Sequence, residues 1–218
     1  MAQRVAYLFF FLLVPLFAFP QKAIEVPITK ITDLLITDGT FTASEWKNAT
    51  IVSVSEKDSI DLYLKNHQEH VLLGIKVPFK MVAYIDLFVD FGKGYIHHLH
   101  SSAQIGERIL TDTTWTDTNP ATHWGNANQW YANEMRTDRV KAQELVTQDP
   151  NRDRNQMLLQ TTYPIDGYEY IFHKKRFSDK VWNIRLEVRT GMPGSASVIY
   201  PANSVRKDSK NWAKIILH

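Results

Sequence analysis

Apolar and polar residues alternate along much of this chain with the two-residue period of a β-strand. Residues 60–64 and 71–77 show this period on either side of the polar segment Lys65–Glu69, which predicts a hairpin. The same period runs through residues 81–90 and, most regularly, through residues 182–189. A strand of this kind turns its apolar side chains to the core and its polar ones to solvent. Further strands are predicted at Ile51–Val54, Tyr95–His100, Val140–Val146, Met157–Thr162, Tyr168–His173 and Ala213–Leu217.

Turn-forming residues separate the predicted strands. They lie at Asp38-Gly39, Gly92-Lys-Gly94, Asp149-Pro-Asn151, Asp166-Gly167 and Gly191-Met-Pro-Gly194. Many short strands with such turns predict an all-β fold, an antiparallel β-sandwich with jelly-roll or immunoglobulin-like layers. Residues 111–137 interrupt the pattern because they are rich in Thr, Asn, Asp and Trp. We predict a long loop there, with a short helix near Gln129–Met135.

The first twenty residues have the pattern of a secretory signal. Arg4 precedes an apolar run that ends at Phe19 and that no charge interrupts. This pattern predicts a signal peptide at residues 1–20, a single domain at residues 21–218 and a secreted or periplasmic location. The alternative is an uncleaved membrane anchor, although the run is short for a membrane span. No membrane-spanning segment is expected after cleavage.

Composition and charge argue against several classes of function. The 218 residues include 25 Lys and Arg against 23 Asp and Glu, a net charge of +2, whereas nucleic-acid-binding domains usually have a clear basic excess. The chain has no cysteine, which excludes disulfides, a thiol nucleophile and a lipid-modified cysteine. It also has no nucleophile elbow, phosphate-binding loop or His-Glu-x-x-His motif, so we expect a protein that is not an enzyme.

The segment at residues 36–49 resembles the opening of a known family. Its residues Asp38-Gly39, Glu45-Trp46 and Ala49 match the start of family 9 carbohydrate-binding modules and their DOMON-like relatives. Asp-Gly is expected to form a tight turn, and Trp46 is expected to plug the sandwich.

The C-terminal segment resembles the end of the same family. Residues 200–217 contain a Pro-containing turn and then a last strand that begins at Trp212. The resemblance spans residues 30–217 but depends on these two end segments. It implies a β-sandwich with a non-catalytic binding role, and a glycan or polysaccharide as the partner.

Aromatic and polar residues of the 111–137 region form the candidate carbohydrate-binding site. Sugar rings have apolar C–H faces on which aromatic rings stack, and hydroxyl groups that Asn and Glu side chains hydrogen-bond. The candidates are Trp115, Trp124, Trp130, Tyr131, Asn128 and Glu134. The alternative is that these aromatic residues only anchor the loop to the sandwich. Trp46, Trp182 and Trp212 are expected to be core residues.

The strand at Tyr95–His100 predicts a second candidate site, for a metal ion. His98 and His100 share one face of this strand, and two imidazoles can hold a transition metal when a further ligand completes the site. The candidate ligands are His98, His100, Asp86 and Asp90. Aspartate oxygens also suit calcium, so a calcium ion is a further cofactor that the sequence leaves open. The alternative is a histidine cluster at the surface that holds no ion.

Two other functions remain open at this point. One is a small exported hydrolase with acidic residues in a cleft, and the other is a structural, adaptor or haem-binding sandwich. Exposed aromatic rings in a cleft would favour glycan binding, whereas carboxylates that face each other would favour hydrolysis. The basic run Lys174-Lys-Arg176 is predicted to lie in a solvated turn.

Overall fold

The fold consists of short strands and two helices. The computed structural model describes residues 23–29, 37–78, 83–118, 129–178, 180–190 and 197–218, so the predicted signal peptide, Trp124 and Asn128 lie outside the described residues. The elements in chain order are β1 (Ile24–Val26), β2 (Thr50–Ser55), β3 (Ile60–Asn66), β4 (His70–Lys76), β5 (Ala83–Asp90), β6 (Tyr95–Ser101), β7 (Ile105–Thr111), β8 (Thr114–Asp117), β9 (Trp130–Ala132), α1 (Arg139–Gln148), α2 (Arg154–Thr161), β10 (Gly167–His173), β11 (Val181–Thr190), β12 (Val198–Tyr200) and β13 (Ala213–Leu217).

These strands form the two sheets of a β-sandwich. The eight-stranded sheet has the order β1-β13-β11-β5-β6-β7-β8, with β12 paired to β11, and the five-stranded sheet has the order β2-β3-β4-β10-β9. β1 runs parallel to β13, and the other named pairs are antiparallel. The predicted antiparallel β-sandwich is therefore confirmed, as is the predicted hairpin, which consists of β3 and β4.

The core lies between the sheets and contains the apolar residues that alternate along the strands. Leu62 and Leu73 contribute from the five-stranded sheet, and Leu87, Trp182 and Leu186 from the eight-stranded sheet, all with 0% exposure. Each large apolar side chain buried in this way stabilises the fold by roughly 1.5–3 kcal/mol. The alternation leaves every second side chain on the outer faces of the two sheets, where the candidate sites lie.

The Asp-Gly turn of the opening segment has the predicted form. Gly39 has a φ of +84°, a conformation that residues with a Cβ rarely adopt, and Asp38 accepts the Thr40 N–H at 2.7 Å. Glu45 accepts the Thr42 hydroxyl at 2.6 Å and thereby fixes the short turn that follows.

Trp46 then plugs the outer face of the five-stranded sheet. The indole is 5% exposed and stacks on Phe41 with ring centroids 5.3 Å apart. It packs on Gly74, where an added Cβ would lie 2.7 Å from the indole. Its N–H donates to Oε1 of Glu169 at 3.0 Å. The predicted plug is confirmed, and Trp182 and Trp212 are also buried as predicted.

Two predicted strands are helices, so those predictions were wrong. Val140–Val146 lies in α1, which begins after Asp138, whose carboxylate accepts the Lys141 N–H at 3.0 Å. Met157–Thr162 overlaps α2, and the two helices contact each other. No residue of α1 is buried, so its valines have no sheet neighbour to pack against and the capping residue decides the conformation. In the described part of the chain, no helix has both the length and the apolarity needed to cross a membrane.

The predicted short helix near Gln129–Met135 is also wrong. Trp130–Ala132 forms β9, which pairs antiparallel with β10. Trp130 and Ala132 are buried and Tyr131 between them is exposed, which is the two-residue period of a strand. The predicted loop at residues 111–137 therefore contains β8 near its start and β9 near its end.

Candidate functional site

The outer face of the eight-stranded sheet carries charged and aromatic residues from five strands. Residues that lie directly opposite each other on neighbouring strands point to the same side of a sheet. The pairing of β11, β5, β6, β7 and β8 therefore places these outward residues in three rows. The rows are Glu187–Asp86–His100–Gly106, Arg185–Phe88–His98–Arg108–Asp117 and Asn183–Asp90–Ile96–Leu110–Trp115.

The middle of this outer face is buried although it points away from the core. Phe88 is 0% exposed and Asp86 is 1% exposed. Residues 201–212 contribute to this burial, because Trp212 packs against Phe88 with ring centroids 6.2 Å apart and the guanidinium of Arg206 lies 5.7 Å from the Phe88 ring. Charged groups at such depth require partners, since an unpaired buried charge is strongly destabilising.

Asp86 is the centre of the buried polar cluster. Its Oδ1 is bonded to Nδ1 of His100 at 2.8 Å and to Nε2 of His98 at 3.0 Å, and its Oδ2 pairs with the guanidinium of Arg189. Burial would raise the pKa of Asp86, but the hydrogen bonds from His100 and His98 outweigh it and hold the pKa well below its usual value. Burial also lowers the pKa of His98, against the effect of Asp86. Asp86 is thus an ionised acceptor at neutral pH.

Ser102 extends this cluster into a chain of three groups. Its hydroxyl lies 2.9 Å from Nε2 of His100, whose Nδ1 is bonded to Asp86. Serine, imidazole and carboxylate in this order are also the triad of serine hydrolases. However, the Ser102 amide donates to the Gln104 carbonyl at 2.9 Å, and Ser102 is 6% exposed. A buried hydroxyl with its own amide occupied is poorly placed to attack a substrate or to stabilise an oxyanion, so the chain mainly fixes the His100 ring.

Trp115 forms an aromatic wall at the β8 edge of the outer face. Its ring centroid lies 5.5 Å from that of His98 and 6.2 Å from that of Phe88, while Phe88 and His98 stack on each other at 4.4 Å. The indole is partly exposed. One row away, Nε of Arg108 donates to Oδ1 of Asp117 at 2.8 Å, and these side chains are 27% and 29% exposed. An aromatic ring and a charged pair therefore lie side by side at an accessible edge.

Glu187 is the second buried carboxylate of this face, and it is bound by arginines. Nη2 of Arg206 lies 2.7 Å from its Oε1, and Nη1 of Arg185 lies 3.0 Å from its Oε2. Burial would raise the pKa of Glu187, but the hydrogen bonds from Arg206 and Arg185 lower it. The side chains of Arg189 and Arg206 are 41% and 48% exposed, so they extend from the buried carboxylates to solvent.

The four candidate carbohydrate-binding residues that the structure describes do not form one surface. Trp115 is on the outer face of the eight-stranded sheet, whereas Tyr131 is on that of the five-stranded sheet and is 48% exposed. Glu134 is exposed after β9. Trp130 is 5% exposed and stacks near Tyr170 and Phe172, which leaves too little of its ring to carry a sugar and corrects its assignment as a stacking platform.

Three of the four candidate metal ligands do lie together. His98 and His100 share a strand face, as predicted, and both are bonded to Asp86 rather than turned toward a common ion. Asp90 is separate, because it accepts the Gly92 N–H at 2.7 Å and pairs with the Ser209 hydroxyl. Within the ranges that the structure describes, no three His, Cys, Asp or Glu side chains are arranged to hold a metal ion.

A buried ionic cluster between the sheets was missed from the sequence. Glu107 of β7 is 0% exposed and is bonded to Nδ1 of His97 at 2.6 Å, to the indole N–H of Trp130 at 3.2 Å and to Arg176 at 2.6 Å. Burial would raise the pKa of Glu107, but the hydrogen bonds from His97 and Arg176 lower it. Residues 174–176 form the predicted turn, but the Arg176 side chain points inward to Glu107, so the prediction that it is solvated was wrong. The sequence signal for this cluster was a glutamate at a position of β7 whose side chain faces the core.

A cleft of about 290 Å³ lies at the β9 edge of the five-stranded sheet. Its lining residues are His70, Gln129, Trp130, Tyr131, Ile171 and His173. Tyr131 and Ile171 are cross-strand partners, as are His70 and His173. Burial and the neighbouring His173 lower the pKa of His70, so its ring is neutral at pH 7.

Comparison with known proteins gave matches among solved structures. No family model and no curated protein sequence matches the chain. A family 9 carbohydrate-binding module from Caldicellulosiruptor kristjanssonii, solved in complex with cellotriose, is 13% identical, with a TM-score of 0.45 over 90% of this chain and 93% of that one. A candidate carbohydrate-binding protein from Bacteroides uniformis is 8% identical, with a TM-score of 0.49 over 90% of this chain and 100% of that one. Neither match assigns a ligand or a site residue to this chain.

Proposed function

We propose that the protein binds a glycan on the outer face of the eight-stranded sheet. The observation that carries this proposal is the position of Trp115 beside accessible charged groups on one sheet face. Its partly exposed indole lies 5.5 Å from His98 and one row from the Arg108–Asp117 pair. This combination suits a sugar ring, because its C–H face stacks on an aromatic ring while its hydroxyls need donors and acceptors at the edge.

The buried charges beneath this face support the proposal by holding the accessible groups in position. Arg189 and Arg206 are each anchored on a buried carboxylate, while large parts of both side chains remain exposed. An anchored guanidinium loses less conformational entropy when it binds a ligand than a free one does. Guanidinium groups donate to sugar hydroxyls, and the Asp117 carboxylate accepts from them.

A glycan array with the mature protein tests the proposal. Trp115→Ala should weaken binding by about tenfold, which corresponds to the roughly 1–2 kcal/mol of one lost aromatic contact. The matched control is Tyr131→Ala, which removes an exposed ring from the other sheet and should leave this binding unchanged. Equal binding by the wild type and Trp115→Ala, with unchanged melting temperatures, would remove the outer face from consideration.

Export and the absence of catalysis are further parts of the proposal. The apolar run after Arg4 supports export, and mass spectrometry of the mature N-terminus tests it: loss of about twenty residues is expected, and an intact Met1 would contradict it. The occupied amide and low exposure of Ser102 support a non-catalytic role. A fluorophosphonate probe should therefore leave Ser102 unlabelled, and labelling that disappears in Ser102→Ala would favour a hydrolase instead.

A further inference from the structure

We propose that His98 is a positioning residue of the glycan-binding face, and that its ring holds the Trp115 indole in the orientation in which it stacks on a sugar. This role rests on the proposed function, because it concerns the same surface and adds the group that fixes its aromatic ring. Three features of the structure support it. The indole leans across β7, its far end meets the His98 ring, and that ring is itself fixed by Phe88 and Asp86.

The Trp115 indole leans across β7 toward β6. Trp115 is on β8 and His98 is on β6, so one strand separates them. Neighbouring strands are about 4.8 Å apart, which puts β6 and β8 about 10 Å apart. The centroids of the two rings are nevertheless only 5.5 Å apart. Leu110 of β7, the direct cross-strand partner of Trp115, is 3% exposed and belongs to the apolar cluster on which the indole packs. One side of the indole therefore covers Leu110, and the opposite side remains for a sugar.

The His98 ring supports the far end of this indole. On its other side it stacks on Phe88 of β5, with ring centroids 4.4 Å apart and planes 13° apart. This separation is close to the spacing of adjacent strands, so the His98 ring stands above its own strand and the indole makes the approach. The indole and the imidazole meet edge to face, at 66°, which is a favourable geometry for an aromatic pair.

A hydrogen bond to Asp86 fixes the His98 ring. Asp86 is ionised and can only accept, so Nε2 of His98 carries the proton and donates to Oδ1 at 3.0 Å. The histidine is 8% exposed, and burial lowers its pKa, so an uncharged ring packs against the indole at neutral pH. An aromatic side chain that is held in place before a ligand arrives loses less conformational entropy when the ligand binds.

Two variants separate the ring of His98 from its hydrogen bond. The probe is the oligosaccharide with the strongest glycan-array signal, and its affinity is measured by isothermal titration calorimetry well below each variant's melting temperature. His98→Gln keeps a donor at the position of Nε2 but removes the ring, so it should weaken binding about fivefold. His98→Phe removes the donor but keeps a ring beside Trp115, so its affinity should stay within about threefold of the wild type.

The motion of the indole gives a readout that needs no sugar. The indole N–H signal of Trp115 can be assigned by its loss in Trp115→Ala. Its heteronuclear NOE should be lower in His98→Gln than in the wild type and His98→Phe, because the unsupported side chain moves more. His100→Asn is the matched control. His100 is bonded to the same Oδ1 of Asp86 but lies two rows from Trp115, so this variant should change neither the NOE nor the affinity.

A double-variant cycle tests whether His98 acts through Trp115. Adding His98→Gln to Trp115→Ala should weaken binding no further, because no indole remains to be held. An additional fivefold loss in the double variant, or equal affinities and NOE values for His98→Gln and His98→Phe, would overturn the role of His98 while leaving the glycan face in place. If the wild type and Trp115→Ala bound equally, or if the wild type gave no array signal, the glycan face and this role would both be lost.

Discussion

The outer faces of the two sheets are each covered by a segment that contains a buried tryptophan. The buried carboxylates beneath these two segments, however, have different kinds of hydrogen-bond partners. On the five-stranded sheet, Trp46 covers Glu169, which accepts the indole N–H and the Gly39 N–H, both at 3.0 Å. On the eight-stranded sheet, Trp212 lies in the segment that covers Asp86, whose partners are two histidines and Arg189. The first carboxylate has neutral donors, whereas the second has charged or chargeable ones.

This difference in partners reverses the direction of the pKa shift. Burial raises the pKa of Glu169 to about 7, because the hydrogen bonds from Trp46 and Gly39 only partly oppose it. For Asp86 the hydrogen bonds from His100 and His98 outweigh burial, and the pKa falls. The carboxylate under Trp46 is therefore held by neutral donors, while the carboxylates under the Trp212 segment are ionised and their arginine partners Arg189 and Arg206 reach solvent. Of these two carboxylates, Asp86 is the one whose cluster extends charged groups to solvent.

The largest expected effect on stability comes from removing the Trp46 side chain. Trp46→Ala should lower the free energy of unfolding by about 3–5 kcal/mol, because it leaves a cavity above Gly74 and removes a donor from buried Glu169. Urea denaturation followed by tyrosine fluorescence or circular dichroism measures this loss.

A conservative variant separates packing from hydrogen bonding at this position. Trp46→Phe keeps an aromatic ring near Phe41 but lacks the N–H, so it should be less destabilising than Trp46→Ala. If Trp46→Ala unfolded at the same urea concentration as the wild type, the five-stranded sheet would not depend on Trp46 for its stability. The proposed difference between the two outer faces would then be contradicted.

The next effect is a pH dependence of stability whose direction differs between the two faces. Glu169 titrates at about 7 in the folded protein and near its ordinary 4.5 in the unfolded chain, so the folded state holds the proton more tightly. Its contribution to stability is complete below pH 4.5 and is lost as pH rises through 7. The difference corresponds to about 3 kcal/mol, at 1.36 kcal/mol for each pH unit.

Glu169→Gln isolates this contribution from that of the other carboxylates. The amide cannot ionise, so the variant should gain stability relative to the wild type between pH 5 and pH 8, as measured by urea midpoints across that range. Carboxylates with lowered pKa values, such as Asp86 and Glu187, act in the opposite sense and lose their contribution on the acid side, below their unfolded pKa values. A constant difference between wild type and Glu169→Gln at every pH would contradict the raised pKa.

The sandwich could be predicted from the sequence because its signal is local. Strands such as β3 and β11 alternate apolar and polar residues, as half-buried strands do. The helices at Val140–Val146 and Met157–Thr162 could not be predicted by the same rule, because β-branched and apolar residues also occur in exposed helices when no sheet is available to pack against. The Asp138 and Asp153 side chains that cap them were the usable signals.

The candidate site was harder to predict because it depends on strand register. Asp86, His98 and His100 were identified as a group, since one shared strand face and one neighbouring strand were sufficient. Arg189, Arg206 and Ser102 were missed because they reach this group from β11, from the C-terminal segment and from the β6–β7 turn. Trp130 and Tyr131 are adjacent in sequence and were assigned one role, yet the pleat of β9 sends one ring into the core and the other to solvent.

The smallest expected change in stability is at the Arg108–Asp117 pair, and it tests whether the accessible edge of the eight-stranded sheet serves binding rather than folding. The pair is about one-quarter exposed, so Asp117→Ala should cost less than about 1 kcal/mol of unfolding free energy. If a glycan uses this edge, the same variant should lower glycan affinity several-fold. Glu25→Ala, which breaks the exposed pair with His218 at the other edge of the sheet, is the matched control and should change neither quantity much. A loss of stability above about 2 kcal/mol without a loss of affinity would make Arg108 and Asp117 structural residues, and the binding edge would then reduce to Trp115 and the two anchored arginines.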